Sequence, residues 1–148
     1  VADLTRGLDA VREDAAADRQ PRPRVYFEEW DGPLISGIQW VEELVEIAGG
    51  VPIFPELRTA GLARDRIVKP EDVIARQPDV IVASWCGKPV RTDRIAARPG
   101  WADVPAVRAG ALHEIKSCDI LQPGPAALTD GLAQLHAIFA RWQARQQP

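Results

Sequence analysis

The chain has 148 residues, 46% of them hydrophobic, with 18 basic and 21 acidic side chains and a formal net charge of −3. That length suits one domain with a sizeable core, and the apolar content excludes a disordered chain as the starting expectation. The slightly acidic balance argues against nucleic acid as the main partner, since Arg6, Arg12, Arg19, Arg22 and Arg24 form no long basic run.

Residues 1 to about 17 place Leu4, Leu8, Val11 and Ala15 on one face, with Asp3, Arg6, Asp9, Arg12 and Glu13 on the others. The spacing predicts an amphipathic helix. Gln20-Pro21-Arg22-Pro23 ends it, because proline cannot continue the hydrogen-bond ladder. Arg24 to Trp30 reads as a strand on its Val-Tyr-Phe core, broken at Gly32-Pro33. Ser36 is a candidate N-cap for a helix from Gly37 to Ala48, closed by Gly49-Gly50. Its stripe is Trp40, Val41, Leu44, Val45 and Ala48.

Val51 to Phe54 is a short second strand, and Pro55 to Lys69 has no period and reads as a surface loop. Pro70-Glu71-Asp72 opens a short helix through Arg76, with proline in its first turn and acids beside the positive end of the dipole. Asp79 to Trp85 is the clearest strand, its continuous apolar run suited to a parallel strand covered on both faces. A helix over Arg91–Ala97, a turn near Val104–Arg108 and a strand over Ala111–Ile115 follow. Gln122-Pro123-Gly124-Pro125 introduces a last helix, Ala126 to Arg145, with Leu128, Leu132, Leu135, Ile138, Phe139 and Trp142 as its buried stripe. Strands alternating with helices predict an α/β fold, layered helix–sheet–helix, with a mostly parallel sheet of about four strands.

No apolar run reaches the roughly 18 residues that span a bilayer, and no secretory signal is visible. The absence of methionine fits a mature or truncated segment better than a complete translation product. Cys86 and Cys118 are too few for a structural zinc site, and one disulfide between them is open if their strands are neighbours.

Ligands of open α/β sheets bind outside the carboxyl ends of the strands. Those ends carry Glu28, Glu29, Trp30 and Asp31, then Trp85-Cys86-Gly87-Lys88, then Ser117-Cys118-Asp119. They form a candidate ligand rim, with aromatic faces for contact and a few polar groups for orientation. The alternative is that Trp30 and Trp85 plug the sheet edge. Glu28 and Glu29 alternate in a strand and face apart, which speaks against paired acid–base work and against a metal set. Cys86, after a strand and before Gly87, stands where many nucleophiles do, yet neither His113 nor His136 has an evident reason to reach it. Arg98 and Arg108 read as solvated, and Glu71 as a first-turn helix acid.

The ordered set Glu28-Glu29-Trp30-Asp31-Gly32-Pro33, Gly37, Trp40-Val41, Glu43-Leu44 and Ala48-Gly49-Gly50 resembles the opening of one particular lobe. So do Pro78-Asp79-Val80-Ile81-Val82, Cys86-Gly87, Arg98-Pro99-Gly100-Trp101, Pro105 to Gly110, Pro123-Gly124-Pro125 and Asp130-Gly131-Leu132 further on. That lobe is the C-terminal one of the substrate-binding proteins of ABC importers for vitamin B12, iron–siderophore or haem complexes, with the B12 branch fitting best.

The resemblance implies a connecting helix over residues 1–20 and a ligand-binding lobe over 21–148. It implies capture of a small metal chelate (a cobalamin or other corrinoid first, haem or a ferric siderophore otherwise) rather than catalysis, and no resident cofactor. Glu29, Trp30, Asp31, Trp85, Cys86 and Asp119 become the expected ligand-binding residues. Glu71, in Lys69-Pro70-Glu71-Asp72-Val73-Ile74, resembles the acid that docks the lobe on a membrane permease. The location implied is the periplasm, or a lipoprotein at the extracellular face, with a missing N-terminal lobe or a second copy of the chain completing the cleft. Where some B12-binding members carry a pocket aromatic before that acid, this chain has Asp65-Arg66-Ile67. A small α/β enzyme using Cys86, and a self-associating interaction domain, are the alternatives from other classes.

Overall fold

A computed structural model of the chain describes residues 2–17, 21–122 and 124–146. Five strands form one sheet among them: β1 Arg24–Asp31, β2 Leu34–Ser36, β3 Val51–Pro52, β4 Val80–Ala83 and β5 Leu112–Glu114. β1 and β4 lie parallel at its centre, from Val25 opposite Val80 to Glu28 opposite Ala83. β5 continues the parallel order beyond β4. The far edge of β1 is shared, by parallel β3 beside Arg24 and Val25 and by antiparallel β2 beside Glu28 to Asp31.

Continuous burial of Val25 to Glu28 and of Val80 to Trp85 follows from helices packing on a parallel sheet. The helices are α1 Ala2–Ala17, α2 Gln39–Ile47, α3 Pro70–Arg76, α4 Thr92–Ala96, α5 Pro105–Arg108, α6 Ser117–Ile120 and α7 Leu132–Arg145. α1, α2 and α7 pack together, while α4 and α5 gather around the tight turn at Trp101–Asp103. Leu8 and Val11 of the first predicted stripe rest on the core. The side chains of Leu4 and Ala15 lie outside the described residues, as do Gln20 and Pro123. Leu132, Leu135, Ile138 and Phe139 are buried as α7's spacing requires, with Leu128 and Trp142 half-buried beside them.

Four expectations need correction. Gly32-Pro33 ends β1 as expected, but the chain then turns back into an antiparallel strand, β2, where no strand was expected. Ser36 therefore belongs to that strand and caps nothing: its hydroxyl donates to the Arg66 carbonyl at 3.3 Å. Ile38 occupies the N-cap, and the Glu42 carboxylate reaches back to the Gly37 N–H instead.

The segment 55–69 is not a free surface loop. Ile67 bridges Ile35, Val68 N–H donates to the Leu34 carbonyl at 3.0 Å, and Arg66 is buried. Finally, a one-turn helix at Ser117–Ile120 follows β5, and the last helix opens with a wide π-type turn over Ala127–Gly131. A Cβ on Gly131 would meet the Asp119 carbonyl oxygen at 2.5 Å. Glycine is what lets α6 and α7 close on each other there.

Candidate functional site

The carboxyl ends of β1, β4 and β5 lie side by side, and the loops leaving them form one rim. Between Glu28 and Trp30 the β1–β2 register slips by one residue, so Glu29 is the extra residue of a β-bulge. The bulge re-aims the acids. Glu28 points into the protein with no exposed surface, whereas Glu29 pairs with the Arg66 guanidinium. Burial pushes the Glu29 carboxyl above the usual carboxylate range, with Arg66 offsetting part of that effect. Trp30 and Asp31 then stand at the hairpin tip, where the Trp30 indole N–H donates to the Gly32 carbonyl at 3.2 Å.

Beneath the rim sits a charged network absent from the sequence expectation. Glu28 accepts the Trp85 indole N–H at 3.0 Å and two hydrogen bonds from Arg98, at 2.8 and 2.9 Å. Arg98 also stacks on the Trp101 ring, its guanidinium carbon 4.6 Å from the centroid. Burial works against the Arg98 charge, and the Glu28 carboxylate more than offsets it, so its pKa lies above the ordinary value. The solvated reading of Arg98 is therefore corrected. A carboxylate turned into the core requires a cation within reach, and Arg98 meets that need.

After β4 the chain turns through Trp85-Cys86-Gly87-Lys88, closed by Lys88 N–H to the Trp85 carbonyl at 3.2 Å. Gly87 has φ +77°, a conformation costly for other residues at the third position of such a turn. The turn folds Lys88 back over its neighbours. Its ammonium lies 4.3 Å from the Trp30 ring centroid and 5.0 Å from that of Trp85, and pairs with Asp31 at 2.6 Å. Lys88 thereby clips the β1–β2 hairpin to the β4 loop.

A cavity of about 400 Å³ opens beside this clip, lined by Trp85, Lys88 and Pro89 from one loop and Glu114, Lys116 and Cys118 from the other. That volume suits a small molecule. A second hollow of about 490 Å³ lies on the Asp31 side, lined among others by Leu34, Glu71 and Arg98. One partner of the clip lines each hollow.

Of the expected ligand-binding residues, the structure gathers Trp30, Asp31 and Trp85 around Lys88, with Trp85 largely buried. Glu29 turns away to Arg66. Cys86 is exposed on the turn and is absent from the cavity lining. Asp119 accepts from Gln134 of α7 at 3.1 Å and stands behind Cys118. Glu71 is exposed in the first turn of α3. Cys86 and Cys118 are both free thiols, so the disulfide left open by the sequence is not formed.

The two histidines are engaged elsewhere. His136 pairs with Asp14 at 2.9 Å, and His113 lies against α7, where burial and then Arg141 and Arg145 lower its pKa. Among the described residues no cluster of three or more His, Cys, Asp or Glu is placed to hold a metal ion. No described helix is long and apolar enough to cross a membrane.

A mostly parallel sheet with a rim and an aromatic-flanked hollow at its strand ends defines an α/β lobe, of the kind whose ligands bind outside the carboxyl ends of the strands. The chain belongs to the periplasmic binding protein family, whose model matches residues 1–117. It is similar in fold to the periplasmic vitamin B12-binding protein of Vibrio cholerae, with 23% identity and a TM-score of 0.72 over 99% of this chain and 53% of that one. A periplasmic haem-binding protein of Roseiflexus sp. RS-1 gives 26% and 0.69, over 93% of this chain and 54% of the other. An Fe3+-hydroxamate transport protein of Saccharomonospora viridis gives 21% and 0.75, over 93% and 47%. The chain thus spans about half the length of these solved relatives. No curated protein matches it.

Proposed function

We propose that this chain is the C-terminal lobe of a two-lobed capture protein, which binds a metal chelate and delivers it to an ABC permease. The observation that carries the reading is the convergence of Trp30 and Trp85 on Lys88, beside a hollow that Trp85 and Lys88 line at the carboxyl edge of the sheet. Aromatic faces give contact area at low entropic cost, and binding of this kind needs no bond chemistry. Relatives of the same fold whose names specify vitamin B12, haem and ferric hydroxamates support the chelate class. A corrinoid such as cobalamin is our first candidate, with haem or a ferric siderophore next.

In this reading residues 1–20 connect the lobes and residues 21–148 form the ligand-binding one. A second lobe, or a second copy of the chain, covers the other face of the ligand. Glu71, exposed at the first turn of α3, is the proposed contact with the permease. The proposed location is the periplasm or the outer face of the membrane, with a lipid anchor as one form.

Cyanocobalamin, haemin and ferrioxamine titrated against the chain while tryptophan emission is followed test the proposal. The titrations are run on the chain alone and joined to the N-terminal lobe of a relative. We expect saturable quenching by one of the three, tightest in the joined form. Absence of quenching by all three in the joined form overturns it.

A further inference from the structure

The rim holds a cation whose counter-ion is replaceable. Lys88 spreads its ammonium over two tryptophan faces while giving a hydrogen bond to Asp31. An ammonium has three donors, so this contact leaves others free. The pair is also partly open to water, with side-chain exposures of 41% for Lys88 and 23% for Asp31, and such pairs are weakly held.

The rest of the lining carries one further cation and one acid. Lys116 faces it from the far side and has no ion-pair partner among the described residues. Ser117 beside it supplies a hydroxyl. The acid in the lining, Glu114, already accepts the Val90 N–H at 2.8 Å. An oxyanion entering the hollow therefore meets two ammonium groups and one carboxylate, Glu114, which the Val90 N–H holds, while Asp31 stands on the outer side of Lys88.

We propose that the hollow selects ligands carrying a peripheral carboxylate or comparable oxyanion, and that Lys88 anchors this group by exchanging Asp31 for it. The inference rests on the ligand-capture reading and narrows its substrate class to ligands that present an oxyanion group at their edge. Trp30 and Trp85 keep the ammonium in place during the exchange, since cation–π attraction does not depend on which anion is paired. Asp31 holds Lys88 over the rings when no ligand is present, and competes with the ligand when one arrives.

A matched pair of probes, pyrene-1-carboxylate and pyrene-1-carboxamide, isolates the charge from the aromatic surface. Affinities are measured by fluorescence titration at low and at moderate salt. The wild-type chain is expected to prefer the carboxylate at least fivefold, a preference that shrinks as salt screens it. Lys88→Gln should bring the two probes within twofold, and Lys88→Arg should keep the preference. Asp31→Asn should strengthen carboxylate binding, because the internal competitor is gone; a purely structural clip predicts the opposite.

Equal affinity for the two probes, binding of neither, a preference that survives Lys88→Gln, or one that falls in Asp31→Asn each overturns the proposal. These probes are not metal chelates. Failure of the chelate reading, seen in the cobalamin, haemin and ferrioxamine titrations, is therefore separate from failure of this one.

Discussion

Arg98 grips both carboxylate oxygens of Glu28, at 2.8 and 2.9 Å, and Glu28 in turn orients the Trp85 indole at 3.0 Å. The pair stands directly beneath the rim, so the ring that carries Lys88 is held by a salt bridge with one fully buried partner. Breaking such a pair from one side strands the other charge in a low-dielectric setting.

Arg98→Met is thus expected to cost about 3–5 kcal/mol of folding stability, because it leaves the Glu28 carboxylate unpaired. Adding Glu28→Gln should recover a large part of that loss. The amide keeps an acceptor for Trp85 and removes the stranded charge. Urea unfolding of the two variants measures this, and a double variant less stable than Arg98→Met would refute it. The near-ultraviolet circular dichroism of Trp85 should change with Arg98→Met and partly return in the double variant.

Arg66 does for the β1–β2 hairpin what Arg98 does for the core. It donates to Glu29 and to the Ser36 carbonyl, tying the segment before α3 to the bulge that shapes the rim. Arg66→Ala is expected to destabilise the chain by about 3 kcal/mol, since Arg66 is buried and Glu29 nearly so. Native-state hydrogen exchange should show the loss first at Val68 N–H, whose partner is the Leu34 carbonyl. Unchanged protection there, with the whole chain destabilised evenly, would argue that Arg66 holds no local unit.

The regular elements were legible because their signals are local. The apolar run at Val80 to Ala83 marks a buried strand, Pro70 opens α3, and α7's stripe recurs at helical spacing. The mostly parallel sheet follows from the alternation of strand and helix. β2 escaped because it has three residues behind a Gly-Pro step, too short for a period to appear.

At the rim, Trp30, Asp31 and Trp85 were legible as strand-end residues, whereas their partners were not. Glu28 finds Arg98 across 70 positions, Asp31 finds Lys88 across 57 and Glu29 finds Arg66 across 37. Pairings of that range carry no periodic signature. One clue was present: Glu28 continues an apolar strand, and a carboxylate on a covered strand demands a cation. Arg98 also belongs to the Arg98-Pro99-Gly100-Trp101 run that entered the family resemblance, although nothing local showed its partner.

The contact of α6 with the last helix is tight enough to test by a single carbon. Gly131→Ala puts a Cβ 2.5 Å from the Asp119 backbone oxygen, and backbone on both sides must then move. We expect a loss of about 1–3 kcal/mol, the usual scale of overpacking. Because Cys118 lines the hollow and lies next to Asp119, its alkylation rate should change along with stability. A variant as stable as wild type, with unaltered Cys118 kinetics, would show that the two helices adjust freely.

Glu42 makes stability depend on pH in a direction set by its burial. Its carboxyl lies against Gly37, where a Cβ would meet its Oε1 at 2.7 Å, and burial pushes its pKa up to about 8. Arg58 offsets part of this and the Glu29 charge adds to it. In the unfolded chain the group titrates near its ordinary value of 4.5. Between the two values the folded state therefore holds a proton that the unfolded state has released. Stability must fall as pH rises through that window, with the contribution fully present below the lower value and gone above about 8.

The loss is on the order of a few kcal/mol. Glu29, also raised by burial, gives a slope of the same sign, so Glu42→Gln should flatten the curve without levelling it. Urea midpoints at pH 5.5 and 8.5 decide the matter. Wild type should lose more stability between them than Glu42→Gln, and the variant should be the more stable of the two at pH 8.5. Equal losses in both proteins would mean that Glu42 ionises in the folded state as readily as in water, and that the Gly37 N–H and Arg58 outweigh its burial.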